Sequence, residues 1–433
     1  MNFNADTELF ITLFILILII YTMPISFASV NESDLDITSE AALLIDNNTG
    51  KILYGKNENE KKYPASITKI LTAILTIENC DLNDKVTVDY DSIAIVPSGY
   101  SVAALQVGEE LTVEELLKVL LVHSANDAAN VLAVHVGGSI DSFASMMNSK
   151  AQELGCKNSH FVNPSGKHEQ DHYSTATDIA TIMKYCMQNP TFKSIASSKS
   201  CIIPATNKYE QRVYTNTNEL LTVDTREIES NYYYKYAIAG KTGYTTEAKN
   251  CLVSVAKKDD LELICVVLGA GKTKNGLSAR FIETKKLYEY GFNTYTIAKL
   301  REQNAIAKHV EIDNATKETK DLDLLISKDI IVLIKQKDLN KEIEPVITLD
   351  ENLSAPIALG QKVGTITYNI EGIEYSADLL ASHEVKKSSL LFYIIQIILI
   401  VFILFILYKL FYKKNNNKRK KLKSKNVNYY YKL

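Results

Sequence analysis

The stretch Leu390–Leu407 runs for 18 residues without a charged side chain, about the length an α-helix needs to cross the hydrocarbon core of a bilayer. Residues 411–433 follow it with nine Lys or Arg and no acid, leaving the other 410 residues at −12 within a formal net charge of −3. Basic flanks stay on the cytoplasmic side, so the pattern predicts a transmembrane helix over 390–410. A basic cytoplasmic tail at 411–433 would lie on an anionic lipid surface, and everything before Ser389 would lie outside. No nucleic-acid partner is expected.

The other end agrees. Leu9 to Tyr21 is apolar and is followed by Ser26-Phe27-Ala28, a small-x-small pattern that reads as a secretory signal over 1–28 cleaved after Ala28. The segment before it carries Asp6 and Glu8 and no Lys or Arg, so an uncleaved anchor is the alternative. Between the two ends the chain is too long for one ordinary core, and 46% hydrophobic with 23% charged residues is a globular composition. The six cysteines are scattered without C-x-x-C spacing, and free, mostly buried thiols are expected ahead of bridges.

Tyr63-Pro64-Ala65-Ser66-Ile67-Thr68-Lys69-Ile70-Leu71 reads as a helix start, with Pro64 ahead of Leu71, Ile74 and Leu75 at helical spacing. Ser66 and Lys69, three apart, share one face. A serine hydroxyl needs a neighbouring base, and a lysine serves as one when burial or nearby positive charge lowers its pKa. Backbone N–H groups at a helix start suit a developing oxyanion. S-x-x-K alone also describes an ordinary surface helix start, so its partners decide.

Upstream, Ala41 to Ile45 and Ile52 to Tyr54 flank Asp46-Asn47-Asn48-Thr49-Gly50 as a hairpin. Leu111 to Val136 reads helical, broken at His123-Ser124-Ala125-Asn126-Asp127. Helices are expected over Ser142–Leu154, over Asp178–Gln188 with Asp178 as cap, and over Ala279–Tyr290. Strands are expected over Cys251–Ala256 and Leu261–Leu268, and a small β-rich domain with strands such as Ile330–Ile334 and Val363–Tyr368 occupies 308–382.

Two more motifs follow Ser66: Ser124-Ala125-Asn126, 58 residues on, and Lys241-Thr242-Gly243, 117 beyond that. A hydroxyl and an amide on a loop can relay a proton and hold a substrate amide. A second lysine keeps the surroundings positive, which favours deprotonated Lys69 and an anionic substrate end. Gly243 would let a substrate backbone lie close along the strand edge.

Together these motifs resemble the penicillin-recognising serine acyl-enzymes. Phe161-x-Asn163-Pro164-x-Gly166, His172-Tyr173-Ser174-Thr175-Ala176-x-Asp178, Gly240 to Thr245 and Arg280 ahead of Lys285-Lys286-Leu287 narrow the resemblance to the low-molecular-mass D-alanyl-D-alanine carboxypeptidases, over roughly residues 35–382. The resemblance implies an α+β fold: a β-lactamase/transpeptidase-like α/β sandwich with a helical subdomain at 35–300, then the β-rich domain. It implies removal of the terminal D-alanine from peptidoglycan stem pentapeptides through acyl-Ser66, without a cofactor or metal, and covalent inhibition by β-lactams. On that resemblance Lys69 is the base, Ser124 relays the proton and Asn126 holds the acyl-side amide. Lys241 and Thr242 meet the terminal carboxylate, and the amides of Ser66 and Tyr244 form the oxyanion hole. Arg280 supports carboxylate binding, with a surface helix charge as its alternative.

Two departures stand out. Lys167 replaces the family's apolar residue, which bears on loop packing, and a true span stands where some relatives carry an amphipathic helix, which bears on anchoring. His168-Glu169-Gln170-Asp171-His172 is literally H-E-x-x-H, a zinc-peptidase spacing when on a helix. Here Pro164 and Gly166 lie just upstream and no apolar stripe surrounds it, which argues against that reading. A β-lactamase would need a second base for deacylation, which no obvious glutamate loop supplies. A silent wall-binding module would tolerate damaged motifs, and none is damaged.

Overall fold

The computed structural model describes residues 35–222 and 232–427. The expected signal at 1–28 and the last residues of the basic tail lie outside them. The chain divides into two compact units, Met1–Ile297 with Leu333–Asn340, and Ala298–Val332 with Lys341–Leu433.

The first unit is built on five antiparallel strands: β1 (Ala41–Asp46), β2 (Ile52–Lys56), β3 (Ala237–Thr245), β4 (Lys249–Lys258) and β5 (Leu261–Ala270), in the order β2-β1-β5-β4-β3. Both faces are covered. Leu43, Ile45, Val253, Val255, Val266 and Leu268 join one apolar cluster, while Leu44, Leu252, Leu263, Cys265 and Val267 join the other. This is the two-residue period of a strand read twice. It explains why β5, buried at every position, appears in sequence as an unbroken apolar run.

Over the first face pack α1 (Lys69–Asn79), α2 (Val113–Lys118), α3 (Asn126–Gly137), α4 (Ile140–Glu153) and α5 (Ala176–Gln188). Over the second packs α6 (Ala279–Thr294), through Phe281, Leu287, Tyr288 and Phe292. Helix α1 is buried without a break from Lys69 to Thr76, so it runs through the core rather than along the surface. The expected cap of α5 needs correction. Thr175 is the N-cap, its hydroxyl accepting from Asp178 N, while the Asp178 carboxylate accepts from Asn158 N and Ser159 Oγ. Helix starts favour a short hydroxyl side chain one residue outside the first turn, and Thr175 already occupies that place. All six cysteines are free thiols, five of them buried.

The second unit holds a five-stranded antiparallel sheet of Ile306–Glu311, Asp321–Ile326, Ile373–Ala381, Lys362–Ile370 and Val346–Leu349, in that spatial order. Its last long hairpin turns through Glu371 and Gly372, both at positive φ, the signature of a two-residue turn matched to strand twist. The C-terminal helix, Leu390–Val427, contains the segment Tyr393–Arg419, which is long and apolar enough to cross a membrane.

Candidate active site

Ser66 is presented by a strained turn. Ala65 has φ +50°, left-handed and costly for a residue with a Cβ. The 3₁₀ turn Ala65–Thr68 then runs directly into α1. Two glycines allow this. Gly166 stacks on the Ala65 carbonyl, and a Cβ on Gly243 would lie 3.0 Å from both Pro64 O and Ser66 N. A side chain on Gly243 would therefore crowd the protein's own backbone, as β3 presses on the Ser66 turn. That is a different reason from the expected room for a substrate backbone.

Lys69 opens α1 and is fully buried. Its Nζ lies 2.8 Å from Ser66 Oγ, 2.9 Å from Asn126 Oδ1 and 2.6 Å from Ser165 O. The amide and carbonyl oxygens only accept, so they take two N–H bonds. A neutral amine then has one lone pair left, and among the described residues the hydroxyl at hydrogen-bond distance from it is that of Ser66. An ammonium would have no lone pair for that proton. The environment favours the neutral form: burial first, then the charge of Lys241, push Lys69 well below an ordinary lysine, against a smaller pull from Asp127.

The break between α2 and α3 is a π turn, Val119–His123, ending at Ser124 in the left-handed region with φ +66°. Such widened turns often mark functional positions. Asn126 begins α3, with Nδ2 donating to Ser101 O at 2.8 Å and Oδ1 facing Lys69. The next residue, Asp127, accepts from the backbone N–H groups of Ala103 and Leu105 and so pins the segment running over Asn126.

Lys241 and Thr242 sit on β3, an edge strand of the sheet. Lys241 is 1% exposed and its Nζ donates to Thr242 O at 2.9 Å. Burial, with the positive charge of Arg280, lowers its pKa to about 7. Thr242 Oγ1 lies 2.6 Å from Thr217 Oγ1. Arg280 donates from Nη1 to Gly243 O at 3.1 Å, and among the described residues its buried Nε has no hydrogen-bond partner. It lines the same cleft as Ser66 and Thr242.

Ser66, Ser124, Asn126, Thr242, Gly243, Tyr244 and Arg280 line one cleft of about 440 Å³. Lys69 and Lys241 are buried and take no part in its lining. Reasoning from sequence missed Ser165, whose contribution is a backbone carbonyl, and Thr217, which no motif flags. Lys167, the departure noted above, leaves the loop intact: its N–H bonds Asn163 Oδ1 at 3.0 Å while its side chain pairs with Glu169 at the surface. The H-E-x-x-H spacing falls on a loop rather than a helix. His168 packs edge-on against Tyr63, whereas His172 is buried with both ring nitrogens engaged by protein atoms.

A family model described as D-alanyl-D-alanine carboxypeptidase matches residues 28–272, and one described as penicillin-binding protein 5, C-terminal domain, matches residues 295–387. The chain is 33% identical to D-alanyl-D-alanine carboxypeptidase DacF of Bacillus subtilis, over 88% of this chain and 96% of that one. It is 32% identical to D-alanyl-D-alanine carboxypeptidase DacC of Escherichia coli, over 78% of this chain and 81% of that one. Among solved structures, penicillin-binding protein 5 of Haemophilus influenzae superposes with TM-score 0.63 at 28% identity, over 81% of this chain and 98% of that one.

Proposed function

Because the chain belongs to the D-alanyl-D-alanine carboxypeptidase family, we propose that Ser66 is the nucleophile and neutral Lys69 the base with which it removes the terminal D-alanine of peptidoglycan stem pentapeptides. The enzyme is a serine-type carboxypeptidase, and its action limits cross-linking by removing the D-Ala–D-Ala bond that a transpeptidase would use.

The reaction follows from the site. The substrate's terminal carboxylate is met in the cleft by Thr242 and the guanidinium of Arg280, with the charge of buried Lys241 drawing it from behind the cleft wall, and Asn126 holds the acyl-side amide. Ser66 gives its proton to Lys69 Nζ as Oγ attacks the carbonyl carbon of the penultimate D-alanine. The oxyanion is stabilised by the amides of Ser66 and Tyr244, with Gly243 keeping that strand close. As the C–N bond breaks, the proton passes by way of Ser124 to the leaving nitrogen, and D-alanine departs. Water then gives a proton to Lys69 as its oxygen attacks the ester carbon, and when the bond from that carbon to Ser66 Oγ breaks, Lys69 passes the proton to Oγ, which restores both residues and releases the shortened peptide. A β-lactam follows the first half, but its leaving nitrogen stays tethered, so the acyl-enzyme persists.

Membrane lipid is the second partner. The C-terminal helix would anchor the protein in a single pass, with the catalytic unit outside, after an export signal at 1–28 and with a basic tail at 411–433 inside. Protease added to intact, wall-stripped cells should digest the catalytic unit and spare a tag placed after Leu433. Digestion of the tag with the catalytic unit protected would invert the topology.

The observation that carries the catalytic reading is the arrangement around Lys69, where, with the amine neutral, two acceptor-only groups take its N–H bonds and leave its lone pair for the Ser66 proton. D-alanine release from diacetyl-Lys-D-Ala-D-Ala tests it: the wild type should turn over and Ser66→Ala should not. Release surviving in Ser66→Ala would overturn the assignment.

A further inference from the structure

His172 lies 106 residues from the nucleophile in sequence and is 2% exposed, yet its ring reaches the turn that carries Ser66. Val162 N–H donates to His172 Nδ1 at 3.2 Å, and His172 Nε2 lies 2.9 Å from Thr68 Oγ1. A neutral imidazole that accepts at Nδ1 carries its proton on Nε2, so His172 donates to Thr68. The ring is further fixed edge-on against Phe161, with centroids 5.5 Å apart. Thr68 closes the 3₁₀ turn Ala65–Thr68, immediately before Lys69.

We propose that His172 is a positioning residue for the acylation step: through Thr68 it sets the register of the 3₁₀ turn, and with it the contact between Ser66 Oγ and Lys69 Nζ. The proposal rests on the catalytic reading of Ser66 and Lys69 and adds a residue to it. Gly166 and Gly243 pack on Pro64, Ala65 and Ser66 at the start of the turn, so without the bond at Thr68 its end loses a side-chain anchor. Burial, with the nearby His160, Lys69 and His168, lowers the pKa of His172 to about 3, which keeps the ring neutral and its tautomer single. The second histidine of the H-E-x-x-H spacing thus has a role in serine chemistry, with its two nitrogens spent on Thr68 and Val162.

Single-turnover acylation by a fluorescent penicillin separates the non-covalent Kd from the acylation rate. Thr68→Val and His172→Leu should each slow acylation about tenfold or more, the scale of a misaligned reacting pair, with Kd unchanged within about threefold. His172→Gln keeps an N–H that can reach Thr68 and should recover acylation to within about threefold of wild type. The double variant should be no slower than the worse single, because both changes break one link. Folded Thr68→Val acylating at wild-type speed, His172→Gln as slow as His172→Leu, or losses that multiply in the double variant would each overturn the role of His172. If His172→Leu does not fold, Thr68→Val and His172→Gln decide the matter between them. Wild-type labelling at Ser66 belongs to the catalytic reading, so a failure of the Thr68 variants sinks only this inference.

Discussion

Gly166 and Ala65 are packed so tightly that a Cβ built on the glycine would lie 1.9 Å from the Ala65 carbonyl oxygen. Gly166 also has φ +79°, where only glycine rests without cost. Neither partner can yield, since the contact is with backbone and Ala65 is itself in the left-handed region. Gly166→Ala should lose about 3 kcal/mol or more of stability and acylate far more slowly. Urea unfolding and penicillin labelling read the two effects. A fully stable, active variant would mean the turn has slack that the packing denies.

How much of this was legible in sequence divides along physical lines. The α1 helix followed from Pro64 and the spacing of Leu71, Ile74 and Leu75, because those signals are local. Its 3₁₀ entry did not, because the strain at Ala65 is imposed by Gly166 and Gly243, which arrive from far along the chain. The short paired strands Lys85–Thr87 with Glu110–Thr112, and Ser200–Ile203 with Arg212–Thr215, escaped because three or four residues carry too little period to read. In the site, side-chain motifs led to Ser66, Lys69, Ser124, Asn126 and Lys241. Ser165 acts through a carbonyl that every residue type has, and nothing in the sequence says that His172, flagged there for other reasons, meets Thr68 104 residues away.

The lone-pair argument makes Lys69→Arg informative. Arginine is similar in length but is never deprotonated at working pH, so it puts a permanent charge where Lys69 is neutral. Acylation should fall by at least about a hundredfold, the usual scale of a lost general base, with the fold retained. Near-normal acylation in Lys69→Arg would show that another group takes the Ser66 proton.

Lys241 gives the alkaline behaviour. Its pKa in the folded protein is lowered to about 7 from a reference of 10.5, so between about pH 7 and 10.5 the unfolded chain holds a proton that the native state has released. Stability should therefore rise with pH across that window and lose this contribution as pH falls through about 7. Lys69, shifted in the same direction, adds to the slope, so Lys241→Met should flatten it without abolishing it. Urea midpoints at pH 7 and pH 10 measure the difference. Since only protonated Lys241 attracts a carboxylate, kcat/KM should also decline above about pH 7, and Lys241→Arg should move that limb upward. An unchanged limb would remove Lys241 from carboxylate binding.

Removing residues 388–433 deletes the apolar helix Leu390–Val427 and leaves the sheet of the second unit whole. Protein ending at Lys387 should fractionate as soluble and release D-alanine at a rate similar to full length, while failing to replace it in cells. Sedimentation with membranes after truncation would place the anchor elsewhere.

The most direct test is intact-protein mass spectrometry after exposure to benzylpenicillin. The arrangement of Ser66 Oγ beside Lys69 Nζ at 2.8 Å predicts the gain of one penicilloyl mass in wild type, located on Ser66, and no gain in Ser66→Ala. A penicilloyl adduct that persists in Ser66→Ala, or that maps to another residue in wild type, would contradict the account.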